Sequence, residues 1–137
     1  MAYSYGEIAF RLSDEAAIVT FRKKDNSIRT MLCTRCVSLL RYFTKDENYM
    51  VACLNGHDKR CTASNNTLAV IDLVIEEARS FNLDRIEHIQ WLGYPQTQEQ
   101  FDYCMNIFTS LKDAWGSYDS LNDIAKYQFR QSLGLEA

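Results

Sequence analysis

Five side chains with metal-ligating chemistry fall within residues 33–61: Cys33 and Cys36, then Cys53, His57 and Cys61. Thiolate and imidazole are the donors a tetrahedral zinc site uses, and a close pair followed by three further candidates supplies enough of them. The spacing is not that of a standard finger, because Cys33 falls inside an expected strand while Cys36 opens an expected helix. The competing reading is a set of reduced, buried thiols. The sequence therefore predicts no cofactor, with zinc as the alternative. A catalytic Cys–His pair is disfavoured, since nothing marks an orienting acid or an oxyanion site beside it.

Cationic chemistry is concentrated more sharply. Residues 22–41 hold Arg22, Lys23, Lys24, Arg29, Arg35 and Arg41 against the single acid Asp25. Arg22, Lys23, Lys24 and Arg29 sit on an expected β-hairpin, where each can add salt-dependent contact with a phosphate backbone. Tyr42 and Tyr49 are stacking candidates near it, with Phe43 between them in sequence. A second basic segment is Arg79-Ser-Phe-Asn-Leu-Asp-Arg-Ile86. In an extended strand Arg79, Phe81, Leu83 and Arg85 share one side. If Phe81 and Leu83 enter the core, both arginines flank it and need an anion or several acceptors. One reading gives Arg85, with Arg79, a bound phosphate. The other gives them an internal salt bridge to Asp72 or Asp84.

Composition sets the outer limits. At 137 residues and 47% hydrophobic, the chain has enough apolar material for one domain with a core, with or without a small appendage. One proline and five glycines argue against a long linker. The first residues have neither a basic leader nor a long apolar run, and Leu68–Ile75 is far too short to cross a membrane. A cytoplasmic protein without membrane contact is expected. Residues 1–94 balance twelve Lys/Arg against twelve Asp/Glu, whereas residues 95–137 carry three against six. That acidity weighs against indiscriminate coating of DNA but leaves a local patch able to serve a polyanion. No phosphate-binding loop, dinucleotide glycine motif, metalloprotease helix or serine elbow is present, so the expectation is not an enzyme.

The elements that position these groups follow from periodicity. Ile8, Phe10 and Leu12 alternate with polar or small residues and predict a short first strand. Residues 17–24 and 28–34 form a hairpin about Asp25-Asn26-Ser27, residue types that tolerate the positive φ of tight turns. A short helix is expected over 35–43, a strand over 49–54, a turn at Asn55-Gly56 and a loop at 63–67. Residues 68–78 fit either a helix capped by Thr67 or a strand with a turn at Glu76-Glu77. Residues 78–91 alternate and would pair back on that strand. After Pro95, Thr97 and Gln100 form a capping-box pair, and Phe101, Cys104, Met105, Phe108, Leu111 and Trp115 recur on one helical face that Gly116 would end. A second helix follows from about residue 120 to 133, antiparallel to the first. The domain organisation is thus 1–94 and 95–137, the latter packed on the former or on a second copy of the chain.

The order Val-Thr-Phe-x-Lys-Lys-Asp-x-x-x-Arg-Thr-Met-x-Cys-Thr at Val19–Thr34, then Val-x-Asp-Leu at Val70–Leu73 and Arg-Ser-Phe-x-Leu-Asp-Arg-Ile at Arg79–Ile86, resembles the small WYL-like proteins of tailed bacteriophages. Asn48-Tyr49-Met50-Val51-Ala52 is similar to a degenerate form of the strand that names the WYL domain. The resemblance covers about residues 17–90. It implies an SH3-like, Sm-like small β-barrel with an insertion at about 35–67; with the C-terminal two-helix hairpin read from helical periodicity, the expected fold class is α+β. The resemblance also implies a strand at 68–78 and makes 79–86 the closing strand.

A shared barrel does not transfer a function. The function expected is that of a small phage accessory or regulatory protein in the cytoplasm of the infected host. It would bind DNA, RNA or a nucleotide through Arg22, Lys23, Lys24, Arg29, Arg79 and Arg85 on a basic barrel rim. The alternative is an inhibitor or modulator of a host protein, in transcription or antiviral defence, that uses the acidic C-terminal helices. Those helices are also where a homo-oligomer would form.

Overall fold

The hairpin expected between residues 17 and 34 lies at the centre of the fold. Strands β1 (Ala16–Arg22) and β2 (Ile28–Thr34) pair antiparallel with Val19 opposite Met31. The turn between them is held by Asn26, whose backbone takes a φ of 70°, and by Asp25, whose Oδ1 accepts from the Ser27 backbone N–H at 3.0 Å. The structure, a computed structural model, describes residues 3–118. It divides into two compact units, Met1–Tyr94 and Pro95–Ala137.

The first unit is α+β. Helix α1 (Tyr5–Leu12) precedes the hairpin; α2 (Val37–Phe43) and α3 (Glu47–Asp58) follow it. A short 3-10 turn at Ala63–Asn65 leads to β3 (Thr67–Asp72), β4 (Glu77–Asn82) and β5 (Ile86–Gly93). The five strands form one open antiparallel sheet in the order β4-β3-β2-β1-β5.

That sheet is curled. The chain leaves one edge at Asn82 and enters the other at Ile86 through a three-residue 3-10 turn, Leu83–Arg85. A flat sheet would hold those edges roughly 19 Å apart, four strand spacings of about 4.8 Å. A 3-10 turn advances only about 2 Å per residue. The pairing of β2 with β3 is confined to Cys33–Asp72 and Thr34–Ile71, so the two halves of the sheet diverge from that corner. They meet again through side chains: the rings of Phe21 on β1 and Phe81 on β4 stand 5.5 Å apart. Ala17, Val19, Met31, Leu68, Val70 and Leu83 fill the space between, and Ile8 and Leu12 of α1 pack on the same core.

Several expectations change. Residues 8–12 are helical rather than a strand. Ser4 caps the helix, Ile8 and Leu12 point inward one turn apart, and Phe10, which the alternation required to be inside, is 74% exposed. Residues 49–54 are also helical: the Asp46 carboxylate accepts from the Tyr49 backbone N–H at 3.0 Å, and Met50 and Leu54 are buried. Asn55-Gly56 therefore lies inside α3 and turns nothing. The insertion holds two helices where one was expected.

The segment 79–86 is not one closing strand. Asn82 accepts from the Asp84 backbone N–H at 2.8 Å, which bends the chain out of β4, and β5 is the strand that pairs with β1. Residues 68–78 resolve as β3, a turn and the start of β4, with Glu76 in a left-handed conformation at φ 56°.

In the second unit, α4 (Gln98–Tyr118) is capped by Thr97, whose Oγ1 accepts from the Gln100 backbone N–H at 3.2 Å. The Gln100 side chain bonds the Gln96 backbone N–H at 2.8 Å in place of the reciprocal partner of a capping box. Cys104 and Phe108 are buried at four-residue spacing, and the helix runs through Gly116. The second helix expected at 120–133 lies outside the described residues.

Candidate functional site

A groove of about 800 Å³ opens between the β1–β2 hairpin and the edge strand β4. Arg22, Lys23, Lys24 and Arg29 line it from the hairpin, Arg79 from β4 and Arg85 from the 3-10 turn that follows. These are the six residues that the sequence offers for phosphate, drawn from two regions some fifty residues apart. The curl of the sheet is what brings them together. Phe21 and Phe81 also line the groove, so it opens directly over the ring pair that joins the two halves of the core.

The cations differ in how firmly they are held. The Arg22 guanidinium donates to Glu87 at 2.8 Å and to the Asn26 carbonyl at 2.8 Å, which fixes it at the hairpin base. Arg85 donates to the Lys23 carbonyl at 3.1 Å and so ties the 3-10 turn to the hairpin. Lys24 is exposed at the turn and Lys23 is half-buried. Arg79 is half-buried, its Nε 3.5 Å from Oδ2 of Asp72. The internal salt bridge weighed for Arg79 is therefore present, to Asp72 and not to Asp84.

Asp72 is fully buried beneath this pair. Its Oδ1 accepts from the backbone N–H groups of Val74 and Ile75 at 3.0 and 3.3 Å. Its Oδ2 has no hydrogen-bond partner, and Arg79 Nε at 3.5 Å stands too far away to be one. Burial pushes the Asp72 carboxyl up to about 6, against the lowering effects of the two backbone hydrogen bonds and the Arg29 charge. Opposite it in the ladder, burial and the Asp72 charge raise the Cys33 thiol well above its usual range.

Other expected site residues go elsewhere. Arg35 and Arg41, part of the basic run, serve the scaffold. Arg35 forms a two-pronged pair with Asp58 at 2.9 and 3.1 Å and donates to the Ala69 carbonyl at 2.7 Å; Arg41 pairs with Glu47 at 3.0 Å. Tyr42 on α2 and Tyr49 on α3 are 57% and 61% exposed and do not line the groove, because both helices turn those rings away from it. A hydrogen bond with Cys53 raises the Tyr49 phenol.

Among the described residues no group of three or more His, Cys, Asp or Glu side chains is placed to hold a metal. No three of Cys33, Cys36, Cys53, His57 and Cys61 come together in that way: Cys33 is buried in β2, Cys36 stands at the N-cap position of α2 without a side-chain capping bond, and Cys53 and His57 share α3. His57 instead reaches the groove, as do Thr67, Ser80 and Asn82, none of which the sequence marked for this surface. Their place depends on α3 packing against β3 and β4, a contact between segments that no local pattern announces. Glu77 is the one acid among the described lining residues.

No protein-family model, no curated protein and no solved structure matches the chain.

Proposed function

We propose that the protein binds the phosphates of a nucleic acid strand or nucleotide in this groove, as a small accessory or regulatory protein of the bacteriophage WYL-like kind. The observation that carries the proposal is the convergence of Arg22, Lys23, Lys24, Arg29, Arg79 and Arg85 on one concavity where Glu77 is the only acid among the described lining residues. Glu87 answers Arg22 and Asp72 approaches Arg79, and a ligand phosphate is a further anion that the gathering of like charges favours. The volume falls within the roughly 300–1,000 Å³ typical of sites that enclose a small ligand. Ser80, Asn82 and Thr67 add donors and acceptors beside the cations.

The reading takes the curled sheet as a small SH3-like, Sm-like barrel. Support comes from the three-residue passage between the two sheet edges and from the Phe21–Phe81 contact across the interior.

Fluorescence anisotropy with labelled single-stranded DNA, RNA and nucleotides at low salt tests the function. Binding is expected, weakening as salt rises with a log–log slope of about −0.7 for each phosphate neutralised on a single strand. The double variant Lys23→Glu, Lys24→Glu should lower affinity by at least tenfold and flatten that slope. Absence of binding to every probe at low salt would remove the proposal.

A further inference from the structure

The floor of the groove holds an ion pair that is only half made. Arg79 Nε and Asp72 Oδ2 are both buried, each lacks a hydrogen-bond partner, and they stand 3.5 Å apart. A buried carboxylate oxygen and a buried guanidinium nitrogen are costly to leave in that condition. Arg79 also faces the groove, whereas Asp72 is sealed from it. The guanidinium thus lies between two anion positions, one internal and one open to a ligand.

We propose that Asp72 is the built-in counter-ion of the groove, that a ligand phosphate takes Arg79 from it, and that Asp72 then takes up a proton from solvent. This rests on the phosphate-binding reading and adds proton linkage to it. The proton forms an O–H bond at Oδ2, which removes the charge that Arg79 no longer offsets. Oδ1 keeps its hydrogen bonds to Val74 and Ile75, so the turn is undisturbed.

The charged and titratable groups bearing on Asp72 are Arg79 and Glu77 of β4 and Arg29 and Cys33 of β2. Glu77 opposes ionisation and Arg29 favours it, while the Cys33 thiol is held too high to change charge near neutrality. Burial has already moved the Asp72 carboxyl to about 6, and withdrawing the Arg79 guanidinium that stands 3.5 Å away moves it further in the same direction.

The test uses the whole protein and a short labelled oligothymidylate, whose phosphodiesters keep one charge throughout, unlike a phosphate monoester that titrates near pH 6. Affinity should fall roughly tenfold between about pH 5.5 and about pH 8. Asp72→Asn should bind at pH 8 about as tightly as the wild type does at pH 5.5. His57 also lines the groove and serves as the control. His57→Gln should keep the wild-type pH dependence. A pH dependence that survives in Asp72→Asn, or disappears in His57→Gln, overturns the proposal.

If Asp72→Asn does not fold, carboxyl-carbon NMR of the wild type decides. The Asp72 titration should move upward when oligothymidylate is added, and an unmoved titration overturns the proposal. Tight binding without any pH dependence would remove proton linkage and leave phosphate binding standing. No binding at any pH removes both.

Discussion

One oxygen of Asp72 holds the turn after β3 and the other faces Arg79 without a hydrogen bond. That division makes the residue a measurable source of pH-dependent stability. Its folded carboxyl lies near 6, above the ordinary 3.8. A carboxyl raised on folding contributes most below the unfolded value, and the contribution is lost as pH rises through the folded one. Stability from this group should therefore decline between about pH 4 and pH 6 by on the order of 2–3 kcal/mol. Urea denaturation should show Asp72→Asn free of that decline, because the amide carries no charge yet keeps an oxygen for Val74 and Ile75. Asp72→Ala loses the acceptor as well and should be less stable than Asp72→Asn by about 1–3 kcal/mol.

At the scale of the element, the helices show how capping and burial override alternation. Ile8, Phe10 and Leu12 satisfy a strand period, but Ser4 offers a cap and Ile8 and Leu12 satisfy a helical one; the exposed Phe10 records which prevailed. In α3 the Asp46 cap and the Met50–Leu54 pair outweigh an Asn55-Gly56 turn signal. Gly56 thus sits in a helix interior, where glycine costs about 1 kcal/mol relative to alanine. A Cβ there would meet nothing within 4 Å. Gly56→Ala should raise stability by about 0.5–1 kcal/mol in thermal or urea denaturation, with no change in oligonucleotide affinity.

At the scale of the whole molecule, the described residues that line the groove all belong to the unit Met1–Tyr94. Residues 95–137 carry three Lys/Arg against six Asp/Glu. A chain ending at Tyr94 should fold, as judged by circular dichroism and a cooperative melt. It should bind single-stranded nucleic acid at least as tightly as the full chain, since removing net negative charge reduces long-range repulsion of a polyanion. Loss of binding in a folded 1–94 chain would move the function toward the C-terminal segment. Among the described residues, no helix is long and apolar enough to cross a membrane.

The sequence by itself determined what local chemistry can encode. The β1–β2 hairpin was legible in its alternation and its Asp25-Asn26-Ser27 turn, α2 in its helical spacing, and the first turn of α4 in Thr97 and Gln100. The six cations were legible as chemical types, but their common groove was not. Curling of the sheet, set by the narrow β2–β3 corner and the three-residue passage from Asn82 to Ile86, brings residues 79–85 to the hairpin. The same tertiary packing delivers His57 to the groove, brings no three of the five candidate metal ligands together, and places Asp72 behind Arg79. Spacing along a chain constrains neighbours within a few residues. Which distant side chains share a cavity is decided by how the sheet bends around its core.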